Sequence, residues 1–265
     1  MPVPPGSVQA VTRALDLLRI LGSAGEGMRL SDLAAQAGLA VSTTHRLLTT
    51  MENSGFVQSD QAQGEWHVGR EAFAVGAAFV NRRNFVAPAL TYLRRLRDSS
   101  RETANLGVLD SGQLVTVSQV ESREIMRAIS PPGGRVPATC SAMGKAIMAT
   151  WPDDQITAFC DLHGFSPLTS RSHTSLDGLL KDIKKIRRLG YAVDDEEHVR
   201  GLRCVAAAIW SADGEAVGAI SLSGIATRIG PEKIETAARQ VVSAALQLSE
   251  AIGGRPGPAP DSAAP

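Results

Sequence analysis

The sequence predicts an α+β protein in two parts, a small helical head that ends in a β-hairpin and a larger domain built on an antiparallel sheet. Two short helix patterns, separated by Gly38 and followed by a hairpin pattern, lie between residues 28 and 69. Hairpin patterns at both ends of residues 103–223, with helix patterns between them, predict the second part. A chain of 265 residues with 43% hydrophobic content is long enough for two separate cores.

Three helices are predicted in the head. The first covers residues 10–21, where an apolar stripe is expected to back the other two helices. That stripe consists of Val11, Ala14, Leu15, Leu17, Leu18 and Leu21. Ser31 is predicted to cap the second helix, LSDLAAQA, and Gly38 to end it. The third helix runs from Val41 to Asn53, with Leu47, Leu48 and Met51 on its apolar side. This order is the helix-turn-helix signature.

A hairpin follows the third helix. Gly55 ends the helix, and two short β-rich runs at 56–58 and 66–68 flank the polar tip SDQAQGE. Residues 8–69 are therefore predicted to form a winged helix-turn-helix, a module typical of DNA binding. An ordinary small helical bundle is the alternative, but it leaves the correctly spaced hairpin unexplained.

Residues 70–83 are predicted to form a linker helix that is apolar on most of its faces. The run EAFAVGAAFVN has small and apolar residues nearly all round, so this helix needs a partner. The partner is either the same helix of a second copy or the second domain of its own chain. A further helix is predicted from Phe85 to Arg101, with Pro88 in its first turn. Its inward residues are expected to be Leu90, Leu93 and Leu96.

The second domain is predicted over residues 84–252. Strands over 103–109 and 113–120 surround the turn Asp110-Ser111-Gly112, and a third strand is predicted over 125–129, before the turn PPGG. The remaining elements are helices beginning near Ser141 and Asp153, a helix over 176–189, strands over 191–194, 203–211 and 216–223, and a helix over 231–251. This is the general plan of GAF-like and PAS-like sensor domains for small molecules. Residues 1–7 and 253–265 are predicted to be disordered.

Composition excludes several classes of protein. No window approaches the run of about 20 apolar residues that crosses a bilayer, and MPVPPGS lacks the features of a signal peptide, so we expect a cytoplasmic protein without a membrane partner. Cys140, Cys160 and Cys204 are scattered, which predicts neither a disulfide framework nor a zinc cluster. The five histidines lack the spacing of metal ligands. No metal or cofactor is expected.

The charge distribution predicts an oligomer. The formal net charge is zero, and residues 1–70 carry five arginines against six acidic residues. Affinity for DNA comes largely from neutralised phosphates, so a single head of this kind should bind weakly. Two heads on one duplex would supply useful affinity, which predicts a homodimer or a higher oligomer.

Three blocks of the sequence resemble the IclR family of bacterial transcriptional regulators. They are VSTTHRLLTTMENSGFV, RVPATCSAMGK and GYAVDDEEHVRGLRCVAAAIWSADGEAVGAISLSG, and the likeness runs from about Val11 to Ala251. Within the family, STTHRLL, GEWHVG, VGAAFVNRRN and EEHVRGLRC are most similar to the glyoxylate-responsive branch that represses allantoin utilisation. The resemblance implies a winged head joined by a helix to an effector-binding domain, assembled as a dimer or a dimer of dimers. It also implies a repressor whose affinity for operator DNA is controlled by a small carboxylate.

The DNA-binding residues are predicted on the third helix. Ser42, Thr43 and Arg46 share the face opposite its leucines, and His45 lies at the margin of that face. Arg46 can hold a guanine through two hydrogen bonds, whereas Ser42 and Thr43 suit phosphate or thymine-methyl contacts. The alternative is a surface arginine paired with Glu52 or another acid.

The effector residues come partly from spacing and partly from the resemblance. A helix that begins near Ser141 leaves the amides of Ala142 and Met143 free to bind a carboxylate. The resemblance adds Asp194, Cys204, Ser221 and Ser223. Two serines spaced two apart on a strand face the same side, although a solvated strand face would show the same spacing.

Three of these residues leave alternatives open. Asp194 would repel an anion unless it takes a proton or accepts a hydrogen bond from a hydrated aldehyde. Cys204 either contacts the aldehyde carbon or is a buried spectator thiol. Met143 is bulky for a two-carbon ligand, so a larger keto acid or an aromatic acid is the alternative effector.

Two other classes of protein fit the sequence less well. A metabolic enzyme would need an assembled constellation, yet there is no G-x-S-x-G elbow and Ser141 with Lys145 does not match S-x-x-K. An architectural DNA-binding protein would not need about 150 residues of sheet and helix, and its head would be basic. The sequence therefore predicts a regulator and not an enzyme.

Overall fold

The computed structural model of the chain describes residues 8–81, 85–128 and 130–257. The chain divides into two units, residues 1–83 and 84–265. The predicted disordered segment 1–7 lies outside the described residues, as does 258–265 of the predicted tail. Of the helices in the described part of the chain, none is long and apolar enough to cross a membrane.

The first unit consists of a three-helix head with a small antiparallel sheet, followed by the linker helix. Its elements are α1 (Gln9–Ala24), β1 (Met28–Arg29), α2 (Leu30–Ala37), α3 (Val41–Asn53), β2 (Val57–Asp60), β3 (Glu65–Val68) and α4 (Arg70–Asn81). The strand order is β1-β3-β2, and β2 and β3 form the predicted wing. The two-residue strand β1 pairs with β3 and was too short for the sequence pattern to predict.

The three helices of the head form in the predicted order, α1 extends to Ala24, and two further details differ from the prediction. Leu17, Leu21, Leu33 and Leu48 are buried together, whereas Val11 and Leu15 of the predicted stripe are exposed. Gly38 ends α2 with a φ of 64°, as predicted. Ser31 does not cap α2, because Arg29 occupies the N-cap position. The Ser31 hydroxyl instead contacts Asp32 Oδ1 at 3.3 Å.

The second unit is a six-stranded antiparallel sheet covered by helices. Its elements are α5 (Val86–Ser100), β4 (Thr103–Asp110), β5 (Gln113–Val120), β6 (Arg135–Pro137), a 3-10 turn (Ala138–Cys140), α6 (Ala142–Met148), α7 (Asp153–His163), α8 (Leu176–Leu189), β7 (Ala192–Asp195), β8 (Leu202–Trp210), β9 (Ala216–Ile225) and α9 (Pro231–Ala251). The strand order is β6-β5-β4-β9-β8-β7.

The two faces of this sheet carry different helices. Ala206 and Ala219 belong to the core that α6, α7 and α8 form on one face. The neighbouring Gly218 lies against the ring of Phe85 at the start of α5 on the other face, which α9 also covers. The region between the sheet and α6 is where the candidate cavity lies.

The structure corrects several boundaries in the second unit. Residues 125–128 form no strand, and Ile129, the last residue of that prediction, lies outside the described residues. The edge strand is β6, which pairs with β5. Leu90 faces outward, while Leu93 and Leu96 are buried as expected. The predicted hairpin turn is confirmed, because Ser111 and Gly112 have φ values of 48° and 79°, which is typical of a two-residue type I′ turn.

Residues 253–257, the first part of the predicted disordered tail, are held against the β8–β9 turn. The amide of Arg255 donates to the carbonyl of Ser211 at 3.2 Å, and that of Gly254 donates to Ser249. These contacts differ from the prediction of disorder for these five residues.

Candidate functional sites

Helix α3 presents the predicted DNA-binding face at the surface of the head. Ser42, His45 and Arg46 are exposed, and Thr43 is half-buried. Thr44 points inward, where its hydroxyl donates to the carbonyl of Ala40 at 3.2 Å. The inward and outward residues follow the helical period, so the sequence pattern was sufficient to separate them.

Arg46 does not pair with Glu52, which was the alternative to a role in DNA binding. Glu52 Oε1 instead accepts from the amide of Ser59 at 3.0 Å and from its hydroxyl at 2.5 Å. Among the described residues, the Arg46 guanidinium has no ion pair. Arg46 therefore remains available to an external anion or base.

A groove between α1 and α3 brings a second arginine to this face. Arg13 of α1 lines it together with Thr43 and Arg46. The sequence analysis missed Arg13, because it lies on a different helix from the recognition residues. His45 is fixed from the other side, since its ring lies edge-on to that of Trp66 in β3, with centroids 6.3 Å apart.

The second unit contains a cavity of about 90 Å³ between its sheet and the start of α6. Seven residues that the sequence analysis named as effector contacts all line it: Ser141, Ala142, Met143, Asp194, Cys204, Ser221 and Ser223. They come from α6, β7, β8 and β9, which are separate in the sequence.

The strand register explains why these residues share one face. Asp194 of β7 lies opposite Cys204 of β8, which in turn lies opposite Ser223 of β9. Directly paired residues point to the same side of a sheet, and so do residues two apart on one strand. Ser221, two residues from Ser223, therefore lies on the same face, opposite Asn105 of β4.

Asn105 connects the serines and was missed by the sequence analysis. Its amide nitrogen donates to the hydroxyls of Ser223 at 3.0 Å and Ser221 at 3.3 Å. Its amide oxygen accepts from Gln119 Nε2 at 2.9 Å. A serine hydroxyl that already accepts a hydrogen bond keeps its own proton for another partner. The hydrogen bonds from Gln119 through Asn105 thus leave the hydroxyl protons of both serines as donors, and the Ser223 hydroxyl is also hydrogen-bonded to the Cys204 thiol.

The α6 side closes the cavity. Ser141 caps α6, and its hydroxyl accepts from the amide of Gly144 at 3.4 Å. Met143 is buried, and its sulfur and methyl atoms lie 3.1 Å from the position that a Cβ on Gly107 would take. The Met143 side chain therefore packs against Gly107 of β4 while it lines the cavity.

Asp194 is the acidic residue of the cavity, and it is only 3% exposed. Its Oδ1 accepts from the amides of Glu197 at 2.7 Å and His198 at 3.3 Å. Burial raises the pKa of Asp194 to about 7, and the negative charge of Glu197 adds to this, although the two amides oppose it. Burial also raises the pKa of the Cys204 thiol well above its usual range. Cys204 is therefore a protonated thiol at neutral pH.

A buried ionic cluster lies next to Asp194. The ammonium of Lys145, which is 0% exposed, contacts Asp182 Oδ2 at 2.7 Å and Glu197 Oε1 at 2.5 Å. His173 Nε2 lies 3.2 Å from the same Asp182 oxygen. His173, Asp182 and Glu197 bring ligand-type atoms within 4.8 Å of one another, but the Lys145 ammonium already supplies the cation between the two carboxylates. We therefore assign no metal to this cluster.

Both units match known families. Residues 10–61 match the family described as the IclR helix-turn-helix domain. Residues 77–250, more than half of the chain, match the family described as the bacterial transcriptional regulator IclR C-terminal domain.

The chain belongs to the IclR family.

Individual IclR-family relatives are similar in sequence over nearly the whole chain. The acetate operon repressor of Salmonella typhimurium is 39% identical over 251 residues, which cover 94% of this chain and 92% of the relative. The repressor AllR of Escherichia coli is 34% identical over 252 residues, which cover 95% and 93%. The crystal structure of Thermotoga maritima IclR superposes with a TM-score of 0.77 at 26% identity, and the match covers 92% of this chain and 98% of that one.

These matches establish the general role. The protein is an IclR-family transcriptional repressor with a helix-turn-helix DNA-binding head and a C-terminal effector domain, and not an enzyme. The identity to the acetate operon repressor exceeds that to AllR, so the overall identities do not single out the allantoin branch that the short motifs indicated.

Proposed function

We propose that this repressor acts in the cytoplasm, as a dimer or a dimer of dimers, and that a small carboxylate such as glyoxylate controls its affinity for operator DNA. The observation that carries the proposal is the cavity of about 90 Å³ on the α6 side of the sheet. It gathers the seven named effector residues from four separate elements. A ligand bound there would contact α6 and three strands at once.

The size of the cavity favours a ligand of a few heavy atoms. A cavity volume of about 90 Å³ is several times the roughly 10 to 15 Å³ that one water molecule requires. A small acid such as glyoxylate or pyruvate therefore fits this space. Met143 lines the same space, so a larger keto acid or an aromatic acid is the alternative effector.

The polar groups of the cavity favour an anion. The Gln119–Asn105 hydrogen bonds leave the hydroxyl protons of Ser221 and Ser223 as donors, although the Ser223 hydroxyl is also hydrogen-bonded to the Cys204 thiol. Hydrogen bonds to a charged acceptor contribute about 1.5 to 3 kcal/mol each when the site is dry. Helix α6 has only seven residues, so the proposal relies on these sheet hydroxyls more than on the helix amides.

On the DNA side, we propose that Ser42, Thr43, His45 and Arg46 face the major groove, with Arg13 beside them. The Arg46 guanidinium, free of an ion pair within the described residues, supports direct contact with a base or phosphate. One head offers few such cations, so two heads on one operator are needed for affinity.

Helix α4 is the proposed contact between copies. Phe73 is 77% exposed and Val75 is 60% exposed, and exposed apolar side chains of this size are a feature of interaction surfaces. Phe73→Glu should shift the mass of the full chain in solution towards the monomer. Leu162→Glu is the matched control, because Leu162 is equally exposed but lies on α7. A monomeric wild type, or equal effects of both variants, would remove α4 from the proposal.

The test of the function is a titration of the full chain on the DNA upstream of its own gene. Glyoxylate, pyruvate and benzoate are added in turn, and the change in DNA affinity is measured. We expect a response to the two small acids. Ser221→Ala should weaken that response by about tenfold, because one donor to the anion is lost. Ser243→Ala, on the exposed side of α9, should leave it unchanged. No response to any acid would refute the proposed effector class.

A further inference from the structure

The cavity holds an acidic side chain and no cationic one. Among the described residues that line it, the ionisable groups are Asp194, His198 and Cys204. Burial lowers the pKa of His198 and raises that of the Cys204 thiol, so both side chains are neutral at pH 7. A carboxylate entering this space would find no positive charge on the cavity wall.

The charges behind the wall do not change this balance. From α6, Lys145 faces Asp194, but its ammonium is already shared between Asp182 of α8 and Glu197. Glu197 Oε2 is buried without a hydrogen-bond partner among the described residues, and it lies 3.8 Å from His173 Nε2. The surroundings of Asp194 therefore already contain two carboxylates for one lysine and one histidine.

The neighbouring strands β8 and β9 bring no further charge to Asp194. Arg203 of β8 points to the other face of the sheet, where it binds Asp195 and the carbonyls of Ala226 and Ile229. The residues opposite Asp194 along the row are Cys204 and Ser223, which are uncharged.

We propose that the cavity binds its carboxylate effector together with one proton, and that Asp194 holds this proton in the complex. The inference rests on the proposed function, in which a small carboxylate is the effector. An ionised Asp194 and a bound carboxylate would be neighbours in a space of about 90 Å³ with no cation between them. A protonated Asp194 would instead donate a hydrogen bond to the anion, while its Oδ1 kept the amides of Glu197 and His198.

Proton uptake fixes the pH dependence of binding. The pKa of about 7 for Asp194 in the free protein means that below about pH 6 the proton is already present. Above pH 7 the free protein has lost it, and each ligand that binds must bring one proton back. The dissociation constant should therefore rise by about tenfold per pH unit above pH 7 and stay constant below about pH 6.

The experiment is a calorimetric titration of the full chain with glyoxylate and, separately, pyruvate. Each titration is run at about pH 6 and about pH 8.5, in two buffers that differ in ionisation enthalpy, so that the number of protons exchanged is measured. We expect close to one proton taken up per ligand at the higher pH and close to none at the lower. Asp194→Asn should bind with no proton exchange and with the same affinity at both values. Asp161→Asn, an exposed control on α7, should keep the wild-type pH dependence.

The outcomes separate the inference from the function on which it rests. Binding by the wild type with no proton exchange at pH 8.5 would overturn the inference alone, and would mean that an ionised Asp194 accepts a hydrogen bond from a ligand hydroxyl. Binding of neither acid at any pH would overturn the proposed effector class and the coupled proton with it. The wild-type proton count decides between these results even where Asp194→Asn fails to fold.

Discussion

The recognition helix and the effector cavity differ in how many elements build them. The predicted DNA contacts lie within five residues of α3, and all but the half-buried Thr43 are exposed. The cavity takes its polar groups from β4, α6, β7, β8 and β9, and most of them are buried. A helix face needs only its own periodicity, whereas a cavity wall between distant strands depends on their register. The predicted DNA-binding face therefore comes from one short stretch of sequence, whereas the effector site forms only when several elements of the second unit pack together.

The two sites also differ in what their charges do. An exposed arginine on α3 contributes to folding very little, because water screens it, and it is available to DNA. The charges around the cavity are out of water, so each one needs a partner to remain stable. Substitutions in the head should change binding with little effect on folding, whereas substitutions around the cavity should change both.

Lys145→Ala tests this difference most severely. It would leave Asp182 and Glu197 close together without the shared ammonium. We expect a loss of about 3 to 5 kcal/mol in the free energy of unfolding of the second unit, measured by chemical denaturation of the full chain. Lys184→Ala, on the exposed side of α8, is the matched control and should change stability by less than about 0.5 kcal/mol. Equal effects of the two variants would contradict the buried role of Lys145.

Arg46→Ala tests whether an exposed residue of the head affects DNA binding without affecting folding. The unfolding free energy should stay within about 0.5 kcal/mol of the wild type, because the side chain is exposed. Discrimination at one base pair should fall by about 1 to 3 kcal/mol, as measured by binding to a set of operator variants. Arg19→Ala is the control, since Arg19 is exposed but already paired with Asp16. Equal weakening on every sequence would make Arg46 a phosphate contact instead of a base contact.

The same contrast explains what could be predicted from the sequence. The bounds of α3, α8 and α9 follow from periodicity, capping residues and glycine stops, which are local signals. The strand predicted at 125–129 was wrong for its described residues, because a short apolar run does not by itself have a pairing partner. The actual edge strand, β6, carries a proline and pairs over only three residues.

The cavity was only partly predictable for the same reason. Ser221 and Ser223 could be placed on one face from their spacing, but Asp194 and Cys204 were named through the family resemblance. Asn105 carried no signal in its own segment, because its role depends on lying opposite Ser221 in β9. Lys145 was considered only as part of a catalytic motif that did not match. Its burial beside two acids depends on α8 and the 196–201 loop, which the sequence pattern could not bring to it.

Asp182→Asn tests the buried charges around the cavity through the pH dependence of the protein's stability. Burial opposes ionisation of Asp182, but the hydrogen bond from His173 and the charge of Lys145 outweigh it and lower the pKa to about 2 from 3.8. A carboxyl whose pKa is lowered in the folded state stabilises the protein above its unfolded value of 3.8, and this stability is lost as the pH falls towards 2. At pH 7 the variant should be about 2 kcal/mol less stable than the wild type, and the difference should vanish in acid. The Asp161→Asn control should show no such convergence, and a constant difference at all pH values would argue against an ionised Asp182.

The smallest expected effect is that of substituting Asn105, which lines the cavity and is hydrogen-bonded to Ser221 and Ser223. Asn105→Ala removes the donor to Ser221 and Ser223, so their hydroxyls can turn towards each other and away from the cavity. We expect the glyoxylate affinity to fall by about fivefold, or about 1 kcal/mol, in the same calorimetric titration. Asn105→Asp should be worse for the anion, because a carboxylate accepts from both serines and adds a negative charge. If the alanine and aspartate variants bind equally well, the direction of the serine hydroxyls does not depend on Asn105, and the cavity selects an anion by other means.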